Sequence, residues 1–216
     1  MRNRDNQEIL PLPVPRSEQT MIKKFSIFAI LALILLPASV LAAGTQAMGS
    51  MAGNPDSGAA TVSVSSAQTL ALTDDETHWL TYMREEEKVA RDVYLSLNVT
   101  WNLRIFKNIA ASEQTHMDAI KKLLDTYSIP DPAAGNGIGE FSNPELQKLY
   151  NELIQQGSIS KVEALRGGII IEETDIDDLN EGIATTQHND IKTVYSNLLQ
   201  GSLNHLNTFE STLAKY

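Results

Sequence analysis

The chain has 216 residues, a formal net charge of −10 and no cysteine. The missing cysteine excludes a disulfide framework, thiolate metal sites and a lipidated-cysteine anchor. The acidic balance offers no basic face to nucleic acid; it suits a protein that handles cations, and solubility explains it equally well.

Residues 25–42 (FSIFAILALILLPASVLA) are an apolar run behind Lys23 and Lys24, closing on Val40-Leu41-Ala42. A basic start, an apolar stretch and small residues at the end form the pattern of a secretory signal peptide. The protein is therefore expected to be exported, to the cell envelope or beyond, with cleavage near Ala42/Ala43. Met21 stands just ahead of the two lysines, so Met1 and Met21 are both candidate starts. An uncleaved segment would be the route to membrane contact. The run is near the lower limit of about 17–25 residues for a span and Pro37 interrupts it, which favours cleavage. Residues 1–42 thus read as an N-terminal extension plus signal peptide. Beyond them stand 12 basic and 24 acidic residues, a net charge of −12. Residues 43–69, rich in Gly, Ala, Ser and Thr, read as a flexible linker, and 70–216 as the folded domain.

Thr73-Asp74-Asp75-Glu76 is a capping box. The first long helix runs from it to about Leu97, with Leu80, Met83, Glu87, Ala90, Tyr94 and Leu97 on one stripe. Asn98-Val99-Thr100, also a glycosylation triplet of little weight, is expected to close it. The second long helix runs from about Asn102 to Tyr127 with the stripe Phe106, Ile109, Glu113, His116, Ile120, Leu123 and Tyr127. Ile129-Pro130-Asp131-Pro132 stops it, and a Gly-rich loop follows to Gly139. Asn143-Pro144 opens a short helix ending at Gly157. Ser160-Lys161-Val162-Glu163, a second capping box, opens the third long helix, with Leu165, Ile169, Glu172, Ile176, Leu179 and Ile183. Gly167-Gly168 inside it costs about 1 kcal/mol per glycine against alanine; it either permits a close helix contact or leaves a loose first turn. The fourth long helix runs from about Asn189 to Ala214 with Ile191, Tyr195, Leu198, Ser202, His205 and Phe209. No stretch has a strand pattern. The fold class is all-α: an antiparallel four-helix bundle whose long crossover between helices two and three carries a short extra helix.

Each stripe turns polar at one depth. Glu87 lies 14 residues after Thr73, Glu113 and His116 lie 11 and 14 after Asn102, Glu172 lies 12 after Ser160, and Ser202 and His205 lie 13 and 16 after Asn189. At about 1.5 Å per residue, these are roughly 16–24 Å from the helix starts, at mid-height in every helix. Three carboxylates converging in an apolar core repel one another until protons or a cation relieve them. Carboxylates with imidazoles suit iron, manganese or zinc. Bundles with two metals take a Glu from each of two helices and Glu-x-x-His from each of the other two. Here Glu87, Glu172 and the Glu113/His116 pair follow that pattern. The fourth helix departs from it, with Ser202-x-x-His205.

The runs MREEEKVARDVY, NIAASEQTHMDA, IEETDIDDL and LLQGSLNHLNTF resemble a prokaryotic family of ferritin-like proteins, domain of unknown function 2202, over about Leu70 to Tyr216. The first helix is also similar to rubrerythrin, in which a ligand Glu is followed by Ala at +3 and Tyr at +7; here these are Glu87, Ala90 and Tyr94, which selects Glu87 from Glu85-Glu86-Glu87. The resemblance implies a ferritin-like bundle and a non-haem iron site, and it supplies no substrate.

The expected ligands are Glu87, Glu113, His116, Glu172 and His205. Asp175, three residues after Glu172, reads first as a polar residue beside the core and second as a ligand. Two divalent ions would bring +4 against −3 from the three Glu, so a bridging hydroxide, an oxide or Asp175 would supply the remaining charge; one ion held by some of these residues is the other solution. Tyr94, Tyr195 and Ser202 are candidates to hydrogen-bond the ligands, although such tyrosines also serve as core packing. Arg91 is expected to pair with Glu87 at i,i+4; His78 and His188 read as surface, and Asp177 and Asp178 as a solvated face. The expected function is metal binding, with one or two iron ions first and manganese or zinc as substitutes. The chemistry would be redox on dioxygen or peroxide, of an oxidase or peroxidase type, or iron sequestration. The alternative is a cell-surface helical bundle, metal-free or holding metal structurally, that binds partners without catalysis. Metal ions are the expected partners, and homo-oligomerisation stays open.

Overall fold

The computed structural model describes residues 71–216. The expected signal peptide and the expected linker lie outside the described residues. Among the described residues five helices follow in order: α1 Asp74–Trp101, α2 Arg104–Thr126, α3 Pro144–Gly157, α4 Lys161–Thr185 and α5 Asn189–Leu213. Among the described residues no helix is long and apolar enough to cross a membrane.

The expected capping box at Thr73 forms in full, with Thr73 Oγ1 taking the Glu76 N–H and the Glu76 carboxylate taking the Thr73 N–H at 2.9 Å. Only half of the second forms. Ser160 Oγ takes the Glu163 N–H, but the Glu163 carboxylate turns to Gln156 and Arg166. α1 runs on through Asn98-Val99-Thr100 to Trp101. Asn102, expected to start the second helix, instead closes the first in the left-handed region at φ 50°, its N–H bonded to the Asn98 carbonyl. Asparagine tolerates that conformation. Trp101 explains the extra turn: its indole N–H reaches the Gly157 carbonyl at 2.8 Å, tying the end of α1 to the end of α3.

α1 and α2 form one antiparallel hairpin and α4 and α5 another. The hairpins face each other, with α1 against α4 and α2 against α5, and α3 packs on α1 and α4. One long crossover in a four-helix bundle is the ferritin-like connectivity. The apolar core is split in two. One half centres on Tyr94, Phe106, Leu165 and Phe209; the other on Leu80, Met83, Ile120, Leu124, Leu179 and Tyr195.

The stripes of α1 and α5 are buried throughout, and that of α2 is buried except for half-buried Tyr127. α4 departs from expectation. Ile169, Ile176 and Ile183 are only half-buried, while Gly168, Ile171, Asp175, Asp178 and Gly182 turn inward. The glycines cause this rotation. A Cβ on Gly168 would stand 2.5 Å from the Phe209 ring, and one on Gly182 would stand 2.4 Å from the Trp79 indole nitrogen. Aromatic rings from other segments therefore fill the face that the isoleucines were expected to supply. Gly168 makes a close contact and is no loose turn.

The crossover is held by α1. Arg84 pairs with Asp131 at 2.9 Å. Glu85 takes the N–H groups of Ser142 and Asn143 at 2.6 and 3.0 Å. Lys88 donates to the Gly137 and Glu140 carbonyls and to Asp92, and Asp92 takes the Gly139 N–H. Arg84, Glu85, Lys88 and Asp92 are buried, and such burial is tolerable because each has partners.

Candidate metal centre

Between the two halves of the core lies one polar layer. Glu87, Glu113, His116, Glu172, Asp175, Ser202 and His205 are all buried. Helix periodicity brings them there: each occupies the core face of its own helix, at one height. Of the residues expected at the site, only Tyr195 stands apart. It packs in the Leu80 half of the core, and its buried hydroxyl makes no hydrogen bond among the described residues.

Glu113 organises the layer. Its Oε2 lies 2.8 Å from His116 Nδ1, and its Oε1 lies 2.9 Å from His205 Nδ1. His116 Nδ1 is also 3.2 Å from Glu87 Oε2, and His205 Nδ1 is 3.4 Å from Glu172 Oε2. Two triads result, Glu87/Glu113/His116 and Glu113/Glu172/His205. Within each, the candidate ligand atoms lie within 4.8 Å of one another. The imidazoles stack with centroids 5.5 Å apart. Gly201 makes room for one of them, since a Cβ there would stand 2.5 Å from His116 Nε2.

Three residues bear on the layer from outside the triads. The Tyr94 hydroxyl donates to Glu172 Oε1 at 2.6 Å. Ser112 Oγ lies 2.9 Å from His205 Nε2. Ser202 Oγ lies 2.5 Å from Asp175 Oδ2 and 3.0 Å from the Leu198 carbonyl. Asp175 is the layer's fourth carboxylate. It comes from α4 where a Glu on α5 was missing, and Ser202, at that vacant α5 position, touches it. A serine hydroxyl has one proton for two acceptors; both contacts are satisfied when a neutral Asp175 donates to Ser202 and Ser202 donates onward.

The electrostatics follow from burial and from the imidazoles. Burial pushes Glu87 and Glu172 up to about 7, with His116 and His205 respectively opposing it. Burial acts on Glu113 in the same direction, but the imidazoles on its two oxygens outweigh it and hold it at about 2. Burial disfavours charge on the imidazoles too, yet the carboxylates raise His116 to about 11 and His205 to about 9. Burial and the charge of Glu87 push Asp175 well above its ordinary value.

The donor set fits a hard or borderline divalent ion: carboxylate oxygens and imidazole nitrogens without sulfur. The alignment fits as well. Glu87 Oε1, Glu113 Oε1, Asp175 Oδ1 and His205 Nδ1 are buried and make no aligned hydrogen bond among the described residues. Such atoms are costly to bury unless something else satisfies them.

Some expectations fail here. Arg91 does not pair with Glu87; it turns to Asp92 at 2.7 Å and Gln114 at 2.6 Å, because Glu87 faces the core. His188 is buried, its Nδ1 3.1 Å from the Tyr127 hydroxyl, since it sits under the end of α2. Asp178 is buried through the rotation of α4. Ser112 went unnoticed in the sequence because it lies off the apolar stripe. Gly201 did carry a signal, as a glycine inside a helix marks close approach or a loss of stability.

Fold and site together define an all-α bundle with a carboxylate–histidine layer across its core. The chain belongs to the family described as an uncharacterized protein domain, DUF2202, whose model matches residues 76–215. It is 51% identical over 153 residues to the uncharacterized protein MJ0754 of Methanocaldococcus jannaschii, covering 71% of this chain and 83% of that protein. The crystal structure of that hypothetical protein superposes with a TM-score of 0.68, covering 70% of this chain and 87% of the other. A DUF305 fragment from Deinococcus radiodurans, 15% identical, shares the fold alone, with a TM-score of 0.50 over 67% of this chain and 98% of the fragment.

Proposed function

We propose that the polar layer is a dinuclear metal centre, for non-haem iron first and manganese or zinc as substitutes, with Glu113 as the bridging ligand. The observation that carries this reading is that the two oxygens of Glu113 face two different histidine–carboxylate triads. Glu87 and His116 would complete one position, and Glu172 and His205 the other. Asp175, once it gives up its proton as the ions enter, would bring the charged carboxylates to four, the number that balances two divalent ions. Such a pair of ions, when bound, supplies redox chemistry on dioxygen or peroxide, or holds iron for sequestration.

The chain's own residues would do the rest. Tyr94 orients Glu172 through its hydroxyl. The rings of Tyr94, Phe106 and Phe209, with centroids 5.2–6.1 Å apart, exclude water on one side of the layer. Asp175 and Ser202 could carry a proton beside it. The apolar run behind Lys23 and Lys24 supports export as the setting in which the protein works.

A second reading draws on the same imidazoles. Charged His116 and His205 already compensate the carboxylates without metal, so the layer could serve only to specify helix register in a cell-surface interaction module. Metal content separates the two. The protein purified without added metal, then incubated with Fe(II), should bind about two ions per chain and melt at a higher temperature; Glu113→Ala/His116→Ala should do neither. Equal, substoichiometric iron in both proteins with an unchanged melting temperature would leave the second reading standing.

A further inference from the structure

Ser112 belongs to α2, half-buried beside Glu113, yet its hydroxyl reaches across the bundle to His205 on α5. The contact is to Nε2, the ring nitrogen that faces away from the carboxylates. Nδ1 of the same ring points into the layer, 2.9 Å from Glu113 and 3.4 Å from Glu172. A neutral imidazole carries one proton. For Nδ1 to offer a lone pair, that proton must be on Nε2, and Ser112 Oγ is placed to accept it. Partners of this kind fix the tautomer and orientation of a ligating histidine. The charged ring also has a proton on Nε2, so this hydrogen bond persists when Nδ1 loses its own proton, and the ring need not turn.

The other imidazole is held differently. His116 Nε2 lies over Gly201, which confines the ring by close packing. The two triads thus share Glu113 but differ in how each histidine is positioned.

We propose that Ser112 is the positioning residue of the Glu113/Glu172/His205 position, fixing His205 so that Nδ1 faces the carboxylates, and that its influence does not extend to the Glu87/Glu113/His116 position. This rests on the dinuclear reading above.

The test uses the full-length chain and Co(II) as probe, followed by visible absorption and by counting bound cobalt. Wild type should take up two ions. Ser112→Ala should weaken one of them by about 10–100-fold, and Ser112→Thr, which keeps the hydroxyl, should restore it. In a His116→Ala background the one remaining ion should be the weakened one. In a His205→Ala background Ser112→Ala should change nothing further, as a double-mutant cycle requires of coupled residues. Imidazole 15N NMR of the metal-free protein should show the His205 Nε2 resonance shifting in Ser112→Ala and that of His116 unmoved. Cobalt binding by Ser112→Ala equal to wild type would overturn the role of Ser112 alone, as would an equal effect in the His205→Ala background. No cobalt uptake by wild type would overturn the dinuclear reading and this role with it.

Discussion

Glu113 Oε1 and His205 Nδ1 lie 2.9 Å apart on neighbouring helices, yet they are not aligned for a hydrogen bond. Both atoms aim into the space that they share with Glu172. On the other side, Glu113 Oε2 lies 2.8 Å from His116 Nδ1, which is also hydrogen-bonded to Glu87 Oε2 at 3.2 Å. One carboxylate therefore belongs to two sets of ligands, and its removal should have a different effect from the removal of any other.

Glu113→Ala is expected to abolish both metal positions, whereas Glu172→Ala and His116→Ala should each leave about one ion per chain, following the shared-ligand geometry. Metal analysis of the purified variants after Fe(II) loading and desalting checks this. Equal loss in all three would mean that the positions are not separable.

Metal affinity should rise with pH. In the metal-free protein His116 and His205 titrate at about 11 and about 9, both above their ordinary value, so both are charged at pH 7. A ligating imidazole must be neutral, so filling both positions at pH 7 should release about two protons from the histidines, and apparent affinity should climb steeply from pH 6 to pH 8. Calorimetric titration in buffers of different ionisation enthalpy counts the protons; buffer-independent heats would contradict the assignment.

Glu76 should make stability depend on acid pH. Burial would raise its pKa, but hydrogen bonds from Thr73, Thr186 and Gln187 outweigh that and lower it from 4.5 to about 2. A carboxylate with a depressed folded-state value stabilises fully above its unfolded value, and that contribution fades as pH falls from about 4.5 through about 2. Glu76→Gln, which loses one cap and a tie to the end of α4, should cost about 1–2 kcal/mol at pH 7. The difference from wild type should shrink below pH 4 in urea unfolding curves.

Neighbouring glycines of α4 should respond in opposite ways. A Cβ on Gly168 would stand 2.5 Å from the buried Phe209 ring, whereas one on Gly167 meets only Leu153 at 3.9 Å. Gly168→Ala should destabilise by about 1–3 kcal/mol through overpacking. Gly167→Ala should be neutral or stabilise by up to about 1 kcal/mol through helix propensity. Thermal melts of the two variants decide it.

The crossover clamp should be sensitive to single changes. Asp92→Ala leaves Lys88 buried without its carboxylate and the Gly139 N–H without its acceptor. A loss of about 3 kcal/mol or more is expected, as for other broken buried pairs. The loop between α2 and α3 should then become the first site of limited proteolysis.

The long helices, their antiparallel order and the depth of Glu87, Glu113, His116, Glu172 and His205 were legible in the sequence. They follow from a 3.6-residue period and a 1.5 Å rise, and a chain carries both in its order of residues. The polar residues off the stripes were not legible. Glu85, Lys88 and Asp92 look like an exposed charged face until the crossover folds over them. Asp178 looks solvated until glycines and incoming rings rotate α4. Ser112 has no mark in its own helix, because its partner lies 93 positions away.

The sequence by itself thus determined the height of the polar layer and the core stripes of α1, α2 and α5, because helix geometry is local; the inward face of α4 it did not determine. Only the tertiary structure decided how they pair. Glu113 is shared by two imidazoles, Asp175 of α4 lies against Ser202 where α5 has no Glu, and Tyr195 stays apart from the layer. Those outcomes depend on how two helical hairpins meet, and that is set by close contacts such as Gly168 with Phe209 and Gly201 with His116, between segments far apart along the chain.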